Sequence, residues 1–521
     1  MNNYLTAILI ALSTANIQAQ TFKSAPRLVV NIIIDQLRND YLEAFSPLYS
    51  ENGFKKLLQQ GCYFSSVTYP FLPIDRASSI ASIVTGTTPY YNGIVSESWL
   101  NKESLQPINC VDDIRYTGIK TEDKSSPHNI ATSTIGDELK VSTSGEAKVF
   151  SVAPFKDAAI LSAGHSADGA IWIDDKTGRW CGTSYYFKKT PNWFSAYSDL
   201  KSPSTFIANC KWTPTSTLSG NFSYFMNKSS QKPFAHVFTD VDKYLRYKTS
   251  ALVNESVTDM ALQCINANAM GVDGIADFMT VTYYAGKYNH LNVSNCQMEL
   301  QDTYVRLDKD IALLLSTIER NIGKNNVLFV ITSTGYTDDN TSDNEKYNIP
   351  TGTFYINRTC NLLNIYLSAI YGNGKYVETC FQNQIFLNHK IIEQKRISLN
   401  DILCRCHDFL IQNAGVKDVF TIESLNTSNN NYIEKLRGGY NNSICGDIVV
   451  EVSPGWQLLN ENNHDNYISR FSIIQFPILF YGAGIESKTL TNPVSIDRIA
   501  PTISKSIRIR APNACKAEPL F

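Results

Sequence analysis

Cys404-Arg405-Cys406-His407 has the residue types a metal ion takes, and it is the densest such cluster in a chain with 12 cysteines and only 7 histidines. A Ser398 start with Asp401 three residues on resembles a capping box, and Ile402, Leu403, Cys406, Phe409 and Leu410 follow at helical spacing. On that helix Cys404 and Cys406 face different sides, so the tract reads as a core and surface segment rather than a metal site. The remaining chemistry is sought where an open α/β sheet collects its ligands, at the carboxyl ends of strands. Candidates there are Ile34-Asp35-Gln36-Leu37-Arg38, Thr85-Gly86-Thr87-Thr88-Pro89, Gly164-His165-Ser166-Ala167-Asp168, Asp302-Thr303-Tyr304-Val305-Arg306-Leu307-Asp308, and Phe480-Tyr481-Gly482 with Pro512-Asn513-Ala514-Cys515.

The elements that would position these residues are legible as continuous apolar runs. Residues 28–34, 278–283, 327–332 and 477–481 are β-branched and aromatic over lengths that suit strands covered on both faces. Leu300, Tyr304, Leu307, Ile311, Leu314 and Ile318 give a helical stripe over 299–322 with Gly323 as its stop, and a second helix covers 361–371 and ends at Gly372. Strands alternating with helices imply an α/β fold around a mainly parallel sheet. Two stretches interrupt the alternation, 101–230 and 347–425, and both are expected to be insertions into one domain spanning 20–521.

In that order along the chain, the strand-end segments resemble the alkaline phosphatase superfamily. Within it they are most similar to the bacterial phosphate-irrepressible alkaline phosphatases grouped with type I phosphodiesterases and nucleotide pyrophosphatases. The resemblance runs from about Arg27 to the last residues. It implies a three-layer α/β/α sandwich and phosphoryl transfer by a Thr or Ser at a helix start, held between two zinc ions that stabilise attacking and leaving oxygens. Such a site needs about six Asp or His ligands and groups that hold phosphate oxygens.

Carried over position by position, the resemblance finds that set depleted. Asp35 matches the first metal-binding aspartate. Counting back from Thr85-Gly86, the nucleophile falls on Arg76, and a guanidinium cannot attack phosphorus. Ser78 and Ser79 are the nearby hydroxyls. The Asp-Tyr-x-Gly-His segment reads Tyr283-Tyr284-Ala285-Gly286-Lys287, which puts a cation at the histidine position, with His290 three residues on. An adjacent Asp-His pair becomes Thr334-Gly335. The last histidine position is Gln475, and another falls near Asn466, with His464 two residues upstream as a displaced ligand candidate. Glu97 stands where a phosphate-binding asparagine is expected, and the Lys-Asp-Arg triplet aligns with Phe155-Lys156-Asp157, leaving Lys156 out of register.

Four functional readings follow. The first is a pseudoenzyme that binds a partner or joins an assembly in the cell envelope, with no cofactor. The second is a hydrolase rebuilt around one zinc on Asp35, His464 and Asp338 or Asp339, with Ser78, Ser79 or water attacking. The third is a metal-free anion site on Arg76, Lys287 and Lys156. The fourth fills the vacated pocket with an ion-pair network of Arg76 and Lys287 with Asp35 and Asp75.

Composition narrows the partners. With 46 Lys+Arg against 48 Asp+Glu the net charge is -2, which argues against nucleic acid or a polybasic membrane surface. The apolar run 4–12, followed by polar small residues and Ile17-Gln18-Ala19, reads as a signal peptide over 1–19, so export to the periplasm or cell surface is expected. The run is too short to span a bilayer, and the spacing of the cysteines specifies no disulfide.

Overall fold

The run Leu-Val-Val-Asn-Ile-Ile-Ile-Asp forms the central strand β1 (Leu28–Asp35), and all of it is buried. Side chains on both of its faces must therefore be covered, as the absence of apolar/polar alternation requires. The computed structural model describes residues 25–215, 234–291, 295–337, 348–427, 430–462, 465–467 and 473–521. The expected leader and His464, Asp338 and Asp339 lie outside the described residues.

Around β1 lies an 11-stranded sheet. In chain order its other strands are β2 (Cys62–Thr68), β3 (Gly118–Ile119), β4 (Val149–Val152), β5 (Gly169–Ile173), β6 (Trp180–Thr183), β7 (Asp277–Tyr284), β8 (Val327–Ser333), β9 (Phe476–Gly482), β10 (Lys488–Leu490) and β11 (Val494–Ser495). The spatial order is β10-β2-β9-β8-β1-β7-β4-β5-β6-β3, with β11 also on β2. The five strands from β8 to β5 run parallel, and antiparallel pairs flank them on either side. Register aligns Asp35 with Tyr284 and Ile34 with Ser333, which sets three strand ends side by side.

Helices α1 (Arg76–Thr85) and α2 (Lys156–Ala163) pack on each other, as do α3 (Leu252–Ala267) and α4 (Gln297–Ile322), forming the helical layers of an α/β/α sandwich. The predicted stripe on α4 is buried from Leu300 to Ile318. Among the described residues no helix is long and apolar enough to cross a membrane.

The stretch 101–230, expected to be an insertion, instead supplies four strands of the central sheet, with β4 directly beside β7. Four- and five-residue strands bounded by turns carry too little periodicity to be recognised as part of a long sheet. The second expected insertion does have its own core. Helices Ile356–Tyr371 and Leu399–Leu410 cover a four-stranded sheet whose members are Val377–Phe381, Gln384–Leu387, Val416–Thr421 and Ile448–Val452. It extends past 425, because Gly352–Tyr355 pairs with Trp456–Asn460. Cys406 is buried on Leu399–Leu410 and Cys404 exposed, while Ser398 makes no side-chain cap and Asp401 instead accepts from the Tyr371 hydroxyl at 2.5 Å. All 12 cysteines are free thiols.

Candidate functional site

The strand ends of β1, β7 and β8 meet the first turn of α1. Asp75 caps that helix, its carboxylate accepting from the Ser78 N–H at 2.8 Å while the Ser78 hydroxyl accepts from the Asp75 N–H at 3.0 Å. The next residue, Arg76, is therefore fixed as the first of the helix and aimed at the strand ends. Its guanidinium donates to both oxygens of Asp157 on α2, at 2.8 and 3.0 Å. The same group lies 3.0 Å from Glu97 and 3.7 Å from Asp35, and its planar face sits 4.0 Å from the Phe155 ring centroid.

Burial opposes the charge on Arg76, but Asp157, Glu97 and Asp35 more than offset it and raise its pKa well above the ordinary value. Burial raises the Asp35 pKa against the pull of Arg76 and the hydrogen bond from the Thr334 hydroxyl, which reaches Asp35 at 2.6 Å. For Glu97 the attraction of Arg76 lowers the pKa, yet burial and the neighbouring charges of Asp157, Asp75 and Asp35 outweigh it and push the carboxyl to about 7. His290 is held below its usual value by burial and by the positive charges of Arg76 and Lys287, so both cations stand close to it.

The expected site residues separate into two groups. Arg76 and Asp35 come together, and Lys287 lies just past the end of β7, where its carbonyl accepts from the Tyr284 hydroxyl at 2.7 Å. Lys156 does not join them: its ammonium is 2.9 Å from Asp112 and 3.7 Å from Asp123. One residue along α2 turns the side chain by roughly 100°, so Asp157 faces Arg76 and Lys156 faces away. Asp75 serves as the helix cap and its other oxygen accepts from the Glu97 N–H at 2.5 Å, so Asp157 and Glu97 are the acids that the sequence reading did not assign to Arg76. In the aligned triplet Asp157 falls at the arginine position, one place beyond the triplet's acid, so the alignment carried no signal for its pairing with Arg76.

Ser78 is committed to the cap, and the Ser79 hydroxyl is buried with no hydrogen-bond partner in range among the described residues. Gln475 is exposed, with its amide 3.3 Å from the Ser66 hydroxyl. Gly335 has φ +84°, and a Cβ there would come within 2.8 Å of Ile74 Cδ1 and 3.0 Å of the Tyr69 ring. The space of a ligand side chain on that residue is thus occupied by apolar groups. The other strand-end motifs serve the scaffold. His165 lies between Asp137 and the Ile130 carbonyl at 3.1 and 3.0 Å, Asp302 accepts from the Trp212 indole at 2.7 Å, and Asp308 accepts from the Ser50 and Phe54 N–H groups, both at 2.7 Å.

Among the described residues no group of three or more His, Cys, Asp or Glu side chains is arranged to hold a metal ion. Asp35 is paired with a guanidinium, and Thr334, Gly335 and Lys287 offer no carboxylate or imidazole beside it. This donor set does not fit a zinc pair. Three carboxyl groups, Asp157, Glu97 and Asp35, crowd the one guanidinium and occupy the donors that would otherwise hold phosphate oxygens.

The profile of the type I phosphodiesterase / nucleotide pyrophosphatase family matches residues 29–472. The chain belongs to this family. It is 27% identical over 544 aligned residues to the alkaline phosphatase PafA of Elizabethkingia meningoseptica, covering 99% of this chain and 98% of that one. It is also 27% identical to the alkaline phosphatase PhoV of Synechococcus elongatus, covering 96% and 94%. The crystal structure of PafA superposes with a TM-score of 0.83 at 26% identity, over 95% of this chain and 98% of that one. The family's alkaline-phosphatase-like α/β architecture is therefore retained over nearly the whole chain.

Proposed function

We propose that the chain is an exported pseudoenzyme with the alkaline phosphatase fold, acting as a binding or assembly protein in the cell envelope. In this reading it takes no cofactor and its partners are proteins. The observation that carries it is Arg76 at the first position of α1, held by two hydrogen bonds to Asp157 and flanked by Glu97 and Asp35. A guanidinium has no lone pair to offer phosphorus, and its three acidic neighbours hold it charged. Removing one member of a catalytic unit is already severe, and here the ligand and nucleophile positions are changed together. Fold alone does not carry function. The apolar run 4–12 supports export.

The names of the full-length relatives favour a second reading, a metal-dependent phosphomonoesterase or phosphodiesterase rebuilt around Asp35 and zinc. One measurement divides the two. The mature chain is purified, its bound zinc quantified, and hydrolysis of phosphate mono- and diesters assayed beside an Asp35→Ala variant. Zinc below one-tenth of stoichiometric, with no turnover above that of Asp35→Ala, is expected on a rough scale where three or four protein ligands are needed. Near-stoichiometric zinc with turnover abolished by Asp35→Ala would overturn the pseudoenzyme.

A further inference from the structure

The antiparallel arm formed by Ser98–Leu100 and Pro107–Asn109 reaches from the main sheet to the second unit, and a cavity of about 420 Å³ opens where they meet. Lys102, Glu103 and Leu105 line it from the arm, and Phe386, His389 and Lys390 from the second unit. Its floor is apolar, because Leu100, Phe381 and Phe386 pack into one small cluster with Leu105 against it. Behind His389 stands Asp447, which is 9% exposed, with Oδ1 2.7 Å from the imidazole Nε2 and Oδ2 accepting from the Leu387 N–H at 2.8 Å. That hydrogen bond holds the imidazole pKa above its usual value, with burial opposing it, so the ring carries positive charge more readily.

The charges around the cavity do not cancel locally. Asp447 is satisfied by His389, and Glu378 by Lys375 at 2.8 Å and the Asn388 amide at 2.6 Å. Lys102 donates to the Asn442 carbonyl at 2.8 Å, and burial lowers its pKa against the attraction of Asp447; among the described residues neither Lys102 nor Lys390 makes a direct ion pair. Two ammonium groups thus face one uncompensated carboxylate, Glu103, over an aromatic floor. Leu105, Phe386 and Leu387 give the cavity its apolar side and the other lining residues are polar or charged, and a cavity of this volume at the junction of two units is a usual place for a small-molecule site.

We propose that this cavity binds a small organic carboxylate with an apolar flank, the carboxylate between Lys102 and Lys390 and the flank on Phe386 and Leu105. His389, backed by Asp447, orients the second carboxylate oxygen. Glu103 disfavours a phosphate dianion at the same place. This site shares no residue with the Arg76 pocket and does not rest on loss of phosphatase activity.

Calorimetry on the full mature chain tests it with three probes: N-acetylphenylalanine, its carboxamide and inorganic phosphate. Saturable binding of the acid is expected, weakened about tenfold or more, on the scale of about 1.4 kcal/mol per decade, in the carboxamide and in Lys390→Gln and Lys102→Gln variants. Lys390 is exposed and makes no side-chain bond among the described residues, so its variant reports binding rather than folding. No binding of the acid, equal binding of the carboxamide, no loss in either variant, or phosphate binding as tightly as the acid would each overturn the assignment.

Discussion

Replacing Asp157 tests whether Arg76 is held as a buried ion pair. The Arg76 side chain is 14% exposed and that of Asp157 3%, so both charges are largely withdrawn from water. Removing one member of such a pair costs about 3–5 kcal/mol. In Asp157→Leu, Arg76 keeps Glu97 at 3.0 Å and Asp35 at 3.7 Å, which puts the expected loss at the lower end, about 3 kcal/mol. Arg76→Leu leaves Asp157 and Asp35 buried without their cation and is expected to cost a similar amount. The double variant replaces both charges by apolar groups, and such replacements are often neutral, so it is expected to lose only about 1 kcal/mol. Urea unfolding is followed by the fluorescence of the six tryptophans, of which Trp172 and Trp180 lie buried in β5 and β6 of the main sheet. Single variants that each lose less than about 1 kcal/mol, or losses that simply add, would refute a buried ion-pair core.

The carboxyl of Glu97, pushed to about 7 from its ordinary 4.5, favours the folded state while protonated. Its stabilising effect is full below about 4.5 and lost as pH rises through about 7, so Glu97→Gln should flatten that part of a stability-against-pH curve; an unchanged slope would contradict it. Restoring ligands by Gly335→His meets Ile74 and Tyr69 at φ +84°, and Gly335→Ala alone is expected to cost about 1–3 kcal/mol in thermal or urea unfolding. With native protein, a thiol reagent should modify the exposed Cys404 quickly and leave Cys406, buried and pushed up to about 12 by that burial, unreacted. Zinc should not protect Cys404, and protection would restore the metal-tract reading of 404–407.

Strands of seven or eight residues were legible because their apolar runs are long. The expected 278–283 and 327–332 differ from β7 and β8 by one residue at each end or less. What stayed hidden was short or relational. Val149–Val152 and Gly169–Ile173 carry too few residues to announce membership of a sheet, so the stretch containing them read as an insertion. At the site, the count back from Thr85-Gly86 was enough to put Arg76 at the start of α1. The identity of its partners was not, since the pairing of Arg76 with Asp157 depends on how α1 packs on α2, across 81 residues of sequence. An unmatched triplet in the sequence cannot say which of Lys156 and Asp157 turns inward, and the rotation of one helix decides it.

The arm carries a mechanical consequence. Its root is pinned at Glu97, whose N–H is held by Asp75 and whose carboxylate reaches Arg76, and its tip is pinned where Lys102 bonds Asn442. Between those anchors the extended strand is Ser98–Leu100, which spans about 10 Å at roughly 3.3 Å per residue. The arm is thus a brace beside a direct contact, in which Phe420, Leu425 and Leu436 join the main core and the Leu72 N–H bonds the Lys435 carbonyl, and hinge motion between the two units must break that contact as well as release the arm. Spin labels on Cys404 and on a surface cysteine introduced at Val141, exposed on the main unit, should give one narrow distance distribution. Loss of the Lys102 anchor should leave it narrow, because the apolar contact through Phe420, Leu425 and Leu436 remains, and broadening would show that the arm alone braces the molecule.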